Sequence, residues 1–158
     1  MKIQLKLNGC DQNFDVSEQL TLLQLLRDEG CYSVKHGCES GDCGACTVLT
    51  NDRPAVSCIM LAAQAHEKSV ITLEGLDDEP RTGCIQDAFV NSGAIQCGYC
   101  TPAMILVTRA LLDRSSSPSE TQIREALNGV LCRCTGYVKP VEAVLNAVRQ
   151  QSEVTTHG

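Results

Sequence analysis

Residues 3–7 alternate apolar Ile3, Leu5 and Leu7 with polar Gln4 and Lys6, the period of a half-buried strand. Asn8-Gly9 predicts a turn, and Phe14 and Val16 mark a returning strand. Ser17 then offers an N-cap for a short helix carrying Leu20, Leu22, Leu23, Leu25 and Leu26, with Gly30 as its stop. Thr47 to Thr50 and Ala55 to Ser57 read as two strands joined at Asn51-Asp52, Cys58 to about Ala65 as a short apolar helix, and Val70 to Leu73 as a closing strand. Two hairpins, a crossing helix and a closing strand predict a mixed sheet wrapped on a helix, a β-grasp-like module.

From Glu74 to Pro80 the pattern gives way to a charged, proline-containing connector with Asp77, Asp78 and Glu79, the candidate domain boundary. Beyond it the period is helical throughout. Helices are predicted over 82–92, stopped by Gly93; from Thr101 as N-cap and Pro102 through Leu111; from a Ser119/Gln122 capping box to Gly129; and from Pro140 along Val141, Val144, Leu145 and Val148. Ser115 to Pro118 is a polar loop, and residues 152–158 are expected to fray. The second half repeats in outline: helix, cysteine pair, helix, twice over. Two helical hairpins facing each other would gather those cysteines at one end of a bundle. The fold class expected is α+β, with domains at 1–76 and 82–151.

Composition changes this picture in one respect. At 158 residues with 43% hydrophobic but only 3% aromatic residues and no tryptophan, the core rests on Leu, Ile, Val, Ala and Met. A net charge of −6 without a basic patch disfavours nucleic acid as a partner. No run approaches the ~18 apolar residues of a spanning helix, and the N-terminus lacks a signal-peptide apolar region, so a cytoplasmic location is expected. Eleven cysteines, an odd number, point in such a compartment to metal binding rather than disulfides.

Eight of the eleven fall into two sets. Cys38-x4-Cys43-x2-Cys46, followed by Cys58, has the spacing of a plant-type [2Fe–2S] ligand loop. Two sulfide-bridged irons need four thiolates, and Gly37, Gly41 and Gly44 let the backbone approach the inorganic sulfurs. Cys97-x2-Cys100 and Cys132-x-Cys134 supply four more thiolates. By themselves these suit a metal that spacing leaves open, tetrahedral zinc included, and Cys97-Gly-Tyr-Cys100 ahead of a helix also suits a dithiol–disulfide couple. Cys10 in a turn, Cys31 after the helix stop and Cys84 in a helix read as free thiols. His36 could tune the first set or be a loop residue without a role; His66 and His157 read as surface residues. Arg133 could offset charge between its cysteine neighbours, and Tyr99 and Tyr137 read as packing residues. No Ser–His–Asp set or carboxylate pair suggests acid–base catalysis.

Cys38-Glu-Ser-Gly-Asp-Cys-Gly-Ala-Cys-Thr-Val, Gln96-Cys-Gly-Tyr-Cys-Thr-Pro and Leu131-Cys-Arg-Cys-Thr-Gly-Tyr, in that order, closely resemble the small iron–sulfur subunit of the molybdenum hydroxylases, the xanthine dehydrogenase, aldehyde oxidoreductase and carbon monoxide dehydrogenase family. The resemblance spans residues 3–150. It implies a plant-ferredoxin-like domain with one [2Fe–2S] cluster on Cys38, Cys43, Cys46 and Cys58. It implies a four-helix domain with a second, buried cluster on Cys97, Cys100, Cys132 and Cys134. It further implies that Gln96 and Cys134 contact a molybdopterin cofactor on a large partner subunit, that FAD sits on a medium subunit, and that electrons cross this chain from one to the other. A chain of this length implies separate subunits, in a heterotrimer or a dimer of heterotrimers. Two residues depart from the family pattern: Ala103 where glycine is usual, and Val130 where asparagine is usual; neither removes a ligand. A free-standing two-cluster carrier is the alternative. The substrate lies on another chain and is not legible here.

Overall fold

The computed structural model describes residues 1–156. β1 (Lys2–Leu7) and β2 (Cys10–Asp15) form an antiparallel hairpin in the register Ile3↔Phe14 and Leu7↔Cys10. Its turn places Asn8 at φ 49° and Gly9 at φ 85°, the pair of left-handed residues that a tight two-residue turn needs to match strand twist. Asn51 (φ 48°) and Asp52 (φ 62°) repeat the device between β3 (Thr47–Thr50) and β4 (Arg53–Val56). β5 (Ser69–Ile71) runs parallel to β1 and antiparallel to β3, giving a five-stranded sheet in the order β2-β1-β5-β3-β4. Pro54 falls in β4, an edge strand, where a missing N–H leaves no gap in the ladder. Cys10 is thus the exposed first residue of β2 rather than part of the turn.

α1 (Leu22–Asp28) buries Leu22, Leu23, Leu25 and Leu26 against Ile3, Leu5, Leu7, Val48 and Val70 of the sheet. At about 2 kcal/mol per buried leucine this contributes roughly 8 kcal/mol before chain entropy is subtracted. Its N-cap is Thr21, not Ser17: the Thr21 hydroxyl accepts from the Gln24 N–H at 3.2 Å, and Gln24 returns to the Thr21 N–H, completing a capping box that Ser17 has no partner to form. Gly30 ends the helix as expected. At φ 84° it donates to the Arg27 carbonyl while Cys31 donates to that of Leu26. The apolar helix expected from Cys58 to Ala65 is instead two 3-10 turns, Ser57–Ile59 and Ala62–Ala65. They are interrupted where Leu61 bridges Thr21, a tertiary contact that outbids helical continuity.

The second half contains α2 (Pro80–Asn91), α3 (Thr101–Arg114), α4 (Glu120–Leu127) and α5 (Val138–Thr156). A single core joins them, built on Ile85, Phe89, Met104, Leu111, Ile123, Leu127, Val130 and Val144. Ala103 and Val130, the two departures, are both buried there. The N-cap of α3 is Cys100 rather than Thr101, which becomes its first residue. α5 begins two residues ahead of Pro140; the ring then sits in the first turn, where its missing N–H has no intrahelical partner to lose. The helix runs to Thr156, and His157 and Gly158 lie outside the described residues.

The connector is no loose tether. Residues Leu73–Leu76 form a 3-10 turn that buries Leu76 with Leu49, Leu106 and Ala110, a small core shared by sheet and helices. Glu74 reaches back to accept from the Ser33 N–H at 2.7 Å and from the Thr72 hydroxyl at 2.6 Å. Glu79 accepts from the Thr82 hydroxyl at 2.6 Å and from Arg109 Nε at 2.8 Å, tying the start of α2 to α3. Arg109 also meets Asp113, which in turn takes Arg81 at 2.6 Å.

Candidate metal centres

The first cysteine set is assembled by a loop and a hairpin. The eleven residues between Cys46 and Cys58 are β3, its turn, β4 and Ser57. Because Thr47 pairs with Val56, the hairpin returns the chain beside its starting point. Ser57 confirms the juxtaposition by donating from its hydroxyl to the Cys46 carbonyl at 2.7 Å. Cys46 and Cys58 are consequently buried and in sulfur contact. Upstream, the Cys43 N–H donates to Cys38 Sγ at 3.3 Å, and Gly41 donates from its backbone toward Cys58. A Cβ on Gly37 would lie 2.7 Å from Cys43 Sγ, so only glycine fits against that sulfur.

Burial pushes the Cys58 thiol up to about 11, with the neighbouring Cys46 adding to the effect. Exposed Cys38 is drawn down to about 6 by hydrogen bonds from the Ser40 side chain and the Cys43 backbone. The pattern is that of thiols gathered for a cation. Like-charged sulfurs forced together out of water resist ionisation, and a bound metal reverses that balance. The donor set therefore fits a thiolate-held iron centre.

The second set is drawn from the cap of α3 and from the loops ahead of α3 and α5. Cys100 caps α3 and is buried; Cys132 and Cys134 lie just ahead of α5. The N-terminus of α3 carries partial positive charge, which favours a thiolate on Cys100 at its cap. Burial, then contact with Cys132, pushes Cys100 up to about 12. Burial acts the same way on Cys132, but hydrogen bonds from the Thr135 hydroxyl and nearby backbone N–H groups prevail and hold that thiol below its ordinary range. Gln96 Nε2 donates to the Cys134 carbonyl at 3.3 Å, linking the two cysteine pairs. Tyr137 accepts from the Cys132 N–H at 2.9 Å and so closes its own loop, a role beyond packing. Within the set Cys100 is buried, Cys132 half-buried and Cys97 and Cys134 exposed, and Ile95, Leu131 and Val138 near them in sequence are exposed as well.

The two sets lie back to back. The Leu131 N–H, one residue before Cys132, donates to the Cys43 carbonyl at 2.8 Å. Gly44 (φ 67°) passes so close to Gly129 that a Cβ would fall 1.9 Å from its carbonyl oxygen. Tyr99, between Cys97 and Cys100, donates its hydroxyl to the His36 carbonyl at 2.5 Å. Sequence reasoning missed these three ties, because nothing in either motif names its partner across some sixty to ninety residues. It also missed Ser40 and Thr135, whose signal, a hydroxyl one or two residues after a cysteine, is present but common. His36 pairs with Glu39 at 3.1 Å, and His66 Nδ1 accepts from the Gln4 N–H at 3.0 Å. Cys31 is buried, Cys84 half-buried in α2, and Arg133 exposed. Among the described residues no group of three or more His, Cys, Asp or Glu is arranged to hold a single metal ion.

Comparison with known proteins defines the class first. Residues 5–74 match the 2Fe-2S iron-sulfur cluster binding domain, and residues 72–145 match the [2Fe-2S] binding domain, so nearly the whole chain is iron–sulfur protein. The chain is 48% identical to the nicotinate dehydrogenase small FeS subunit of Eubacterium barkeri, covering 94% of this chain and 95% of that one. It is 43% identical to the xanthine dehydrogenase iron-sulfur-binding subunit of Escherichia coli O157:H7, covering 91% and 92%. The crystal structure of quinoline 2-oxidoreductase from Pseudomonas putida 86 superimposes with a TM-score of 0.90 at 38% identity, over 98% of this chain and 96% of that one. The chain belongs to the family of small iron–sulfur subunits of the molybdenum hydroxylases, and as such is an electron-transfer subunit of an oxidoreductase. No helix among the described residues is long and apolar enough to cross a membrane.

Proposed function

We propose that the chain holds one [2Fe–2S] cluster on Cys38, Cys43, Cys46 and Cys58 and a second on Cys97, Cys100, Cys132 and Cys134. In this role it carries electrons between a large molybdopterin-binding subunit and a medium FAD-binding subunit. When bound, each cluster takes up and gives up a single electron, which splits a two-electron oxidation into two steps. The observation that carries the reading is the Leu131 N–H bond to the Cys43 carbonyl, which locks a residue adjoining one set to a cysteine of the other. The remaining residues hold the sulfurs, exclude water from Cys46, Cys58 and Cys100, and direct N–H groups at sulfur.

The domains run 1–76, a β-grasp ferredoxin-like unit, and 82–151, a four-helix bundle. Exposed Cys134 and Gln96, with the apolar residues around them, form the face toward the pterin. The complex is a cytoplasmic heterotrimer or a dimer of heterotrimers. Nicotinate, xanthine and quinoline, named in the relatives, make an N-heteroaromatic compound the favoured substrate class of the large subunit.

The test is anaerobic isolation with whatever co-purifies, followed by iron and acid-labile sulfide analysis and EPR of the dithionite-reduced protein. About four irons and four sulfides per chain with two EPR signals are expected; half that iron and one signal would sink the second site. Cys134→Ser is expected to impair electron flow from substrate while sparing the first signal, and normal turnover in that variant would defeat the assigned route. Clusters bleached by aldehydes but not by N-heteroaromatics would overturn the substrate class.

A further inference from the structure

The two tyrosines that follow cysteines in the helical half do different work. Tyr137 stays home, accepting from the Cys132 N–H within its own loop. Tyr99 leaves its loop and donates to a carbonyl belonging to the other half, that of His36, at 2.5 Å. The residue is 45% exposed, so it is not held there by burial in a core. The acceptor is what matters. The His36 carbonyl and the Gly37 N–H are the two ends of one rigid peptide plane. Gly37 lies so near the first set that a Cβ added to it would sit 2.7 Å from Cys43 Sγ. A donor on the carbonyl end polarises that peptide and strengthens its N–H end. Peptide dipoles and N–H groups around the sulfurs are a main control on the potential of an iron–sulfur centre.

We propose that Tyr99, although part of the second cysteine loop, is a positioning residue for the first set. Its hydroxyl holds the His36–Gly37 peptide against the Cys43 sulfur and thereby raises the reduction potential of the centre on Cys38, Cys43, Cys46 and Cys58. This rests on the two-centre reading above. The other two ties between the sets, Leu131 to Cys43 and Gly44 against Gly129, are made by backbone and set how far apart the sets lie. The Tyr99 tie is made by one hydroxyl and can be removed without disturbing them.

The experiment compares wild type, Tyr99→Phe and Tyr137→Phe in the complete complex by redox titration followed by EPR, with iron and sulfide measured on each sample. Tyr99→Phe is expected to lower the potential of the first centre. An electron shared between the two centres then shifts at least threefold toward the second, about 30 mV at 59 mV per tenfold for one electron. Tyr137→Phe is expected to move the second centre and leave the first in place. Full iron with unchanged potentials in Tyr99→Phe overturns the tie while leaving the two-centre reading intact; wild type with half the iron overturns the two-centre reading itself. A shift confined to the second centre also overturns the tie. Should Tyr99→Phe load iron incompletely, hydrogen exchange on the same complex decides. Protection over residues 35–43 is expected to fall at least threefold with α3 unaffected, and unchanged protection there overturns the proposal.

Discussion

Cys46 and Cys58 are carried by the two ends of a β-hairpin, whereas Cys100 and the Cys132–Cys134 pair stand at the starts of α3 and α5. The first arrangement is local. A run of twenty-one residues, 38–58, contains all four cysteines, and hairpin register alone delivers the fourth. The second joins segments more than thirty residues apart and exists only if α2 to α5 have packed. The hydrogen bonds offered to sulfur differ in source: Ser40 and the Cys43 and Gly41 backbone for the first set, the Thr135 hydroxyl and the Thr135 and Cys134 backbone for the second. Exposure differs as well. The first set sinks two sulfurs into its own core, while the second leaves Cys97, Cys134 and Gln96 at the surface.

The sharpest way to break this arrangement is at the seam. Gly44→Ala places a Cβ 1.9 Å from the Gly129 oxygen on a residue at φ 67°. It is expected to cost about 4 kcal/mol, the sum of left-handed strain and displaced backbone, read as a lower urea midpoint with iron lost from both sets. Gly129→Ala, which meets nothing within 4 Å, is the control and should change stability by less than about 1 kcal/mol.

Next in size is the Glu79–Arg109 pair, which anchors the helical half alone. Hydrogen bonds to Arg109, offset in part by burial and helped by Thr82, hold the Glu79 carboxyl below the usual carboxylate range. The stability it contributes is therefore present above the unfolded carboxylate value and is lost as pH falls through the folded one. Glu79→Gln should cost about 1.5 kcal/mol at neutral pH and converge with wild type in acid. A difference that persists undiminished at low pH would refute the assignment.

The first set should also be distinguishable chemically from an ordinary exposed thiol. In the metal-free chain at neutral pH, Cys38 is drawn down to about 6, so iodoacetamide should label it about tenfold faster than Cys10, which is also exposed. Peptide mapping by mass spectrometry checks the order. Equal rates would mean that Ser40 and the Cys43 N–H do not stabilise the thiolate. The smallest effects lie at the caps: Thr21→Ala on α1 and Ser119→Ala on α4 each lose a capping box and should cost about 1 kcal/mol by thermal unfolding.

How much of this was legible beforehand varied with distance along the chain. The turns at Asn8-Gly9 and Asn51-Asp52, the stops at Gly30 and Gly93 and the capping box at Ser119 are short-range chemistry and were read directly. Differences came where a second local signal or a tertiary contact competed with the one the sequence shows most plainly. Ser17 and Thr21 could each have capped α1, and Gln24 decided for Thr21. Residues 58–65 have an apolar composition that suits a helix, but Leu61 is drawn into a bridge with Thr21. In the connector, composition shows the charge of Glu74, Asp77, Asp78 and Glu79 and the proline at 80, whereas the burial of Leu76 with Leu49, Leu106 and Ala110 comes from packing.

By itself the sequence determined the class of protein, since cysteine spacing within a loop is a local property and the three motifs occur in order along one chain. It also determined most of the secondary structure, through period and cap chemistry. Only the tertiary structure decided how the two cysteine sets meet: Leu131 on Cys43, Gly44 on Gly129, Tyr99 on His36. Contacts between segments remote in sequence depend on the packing of every element between them, and no window of residues contains that information.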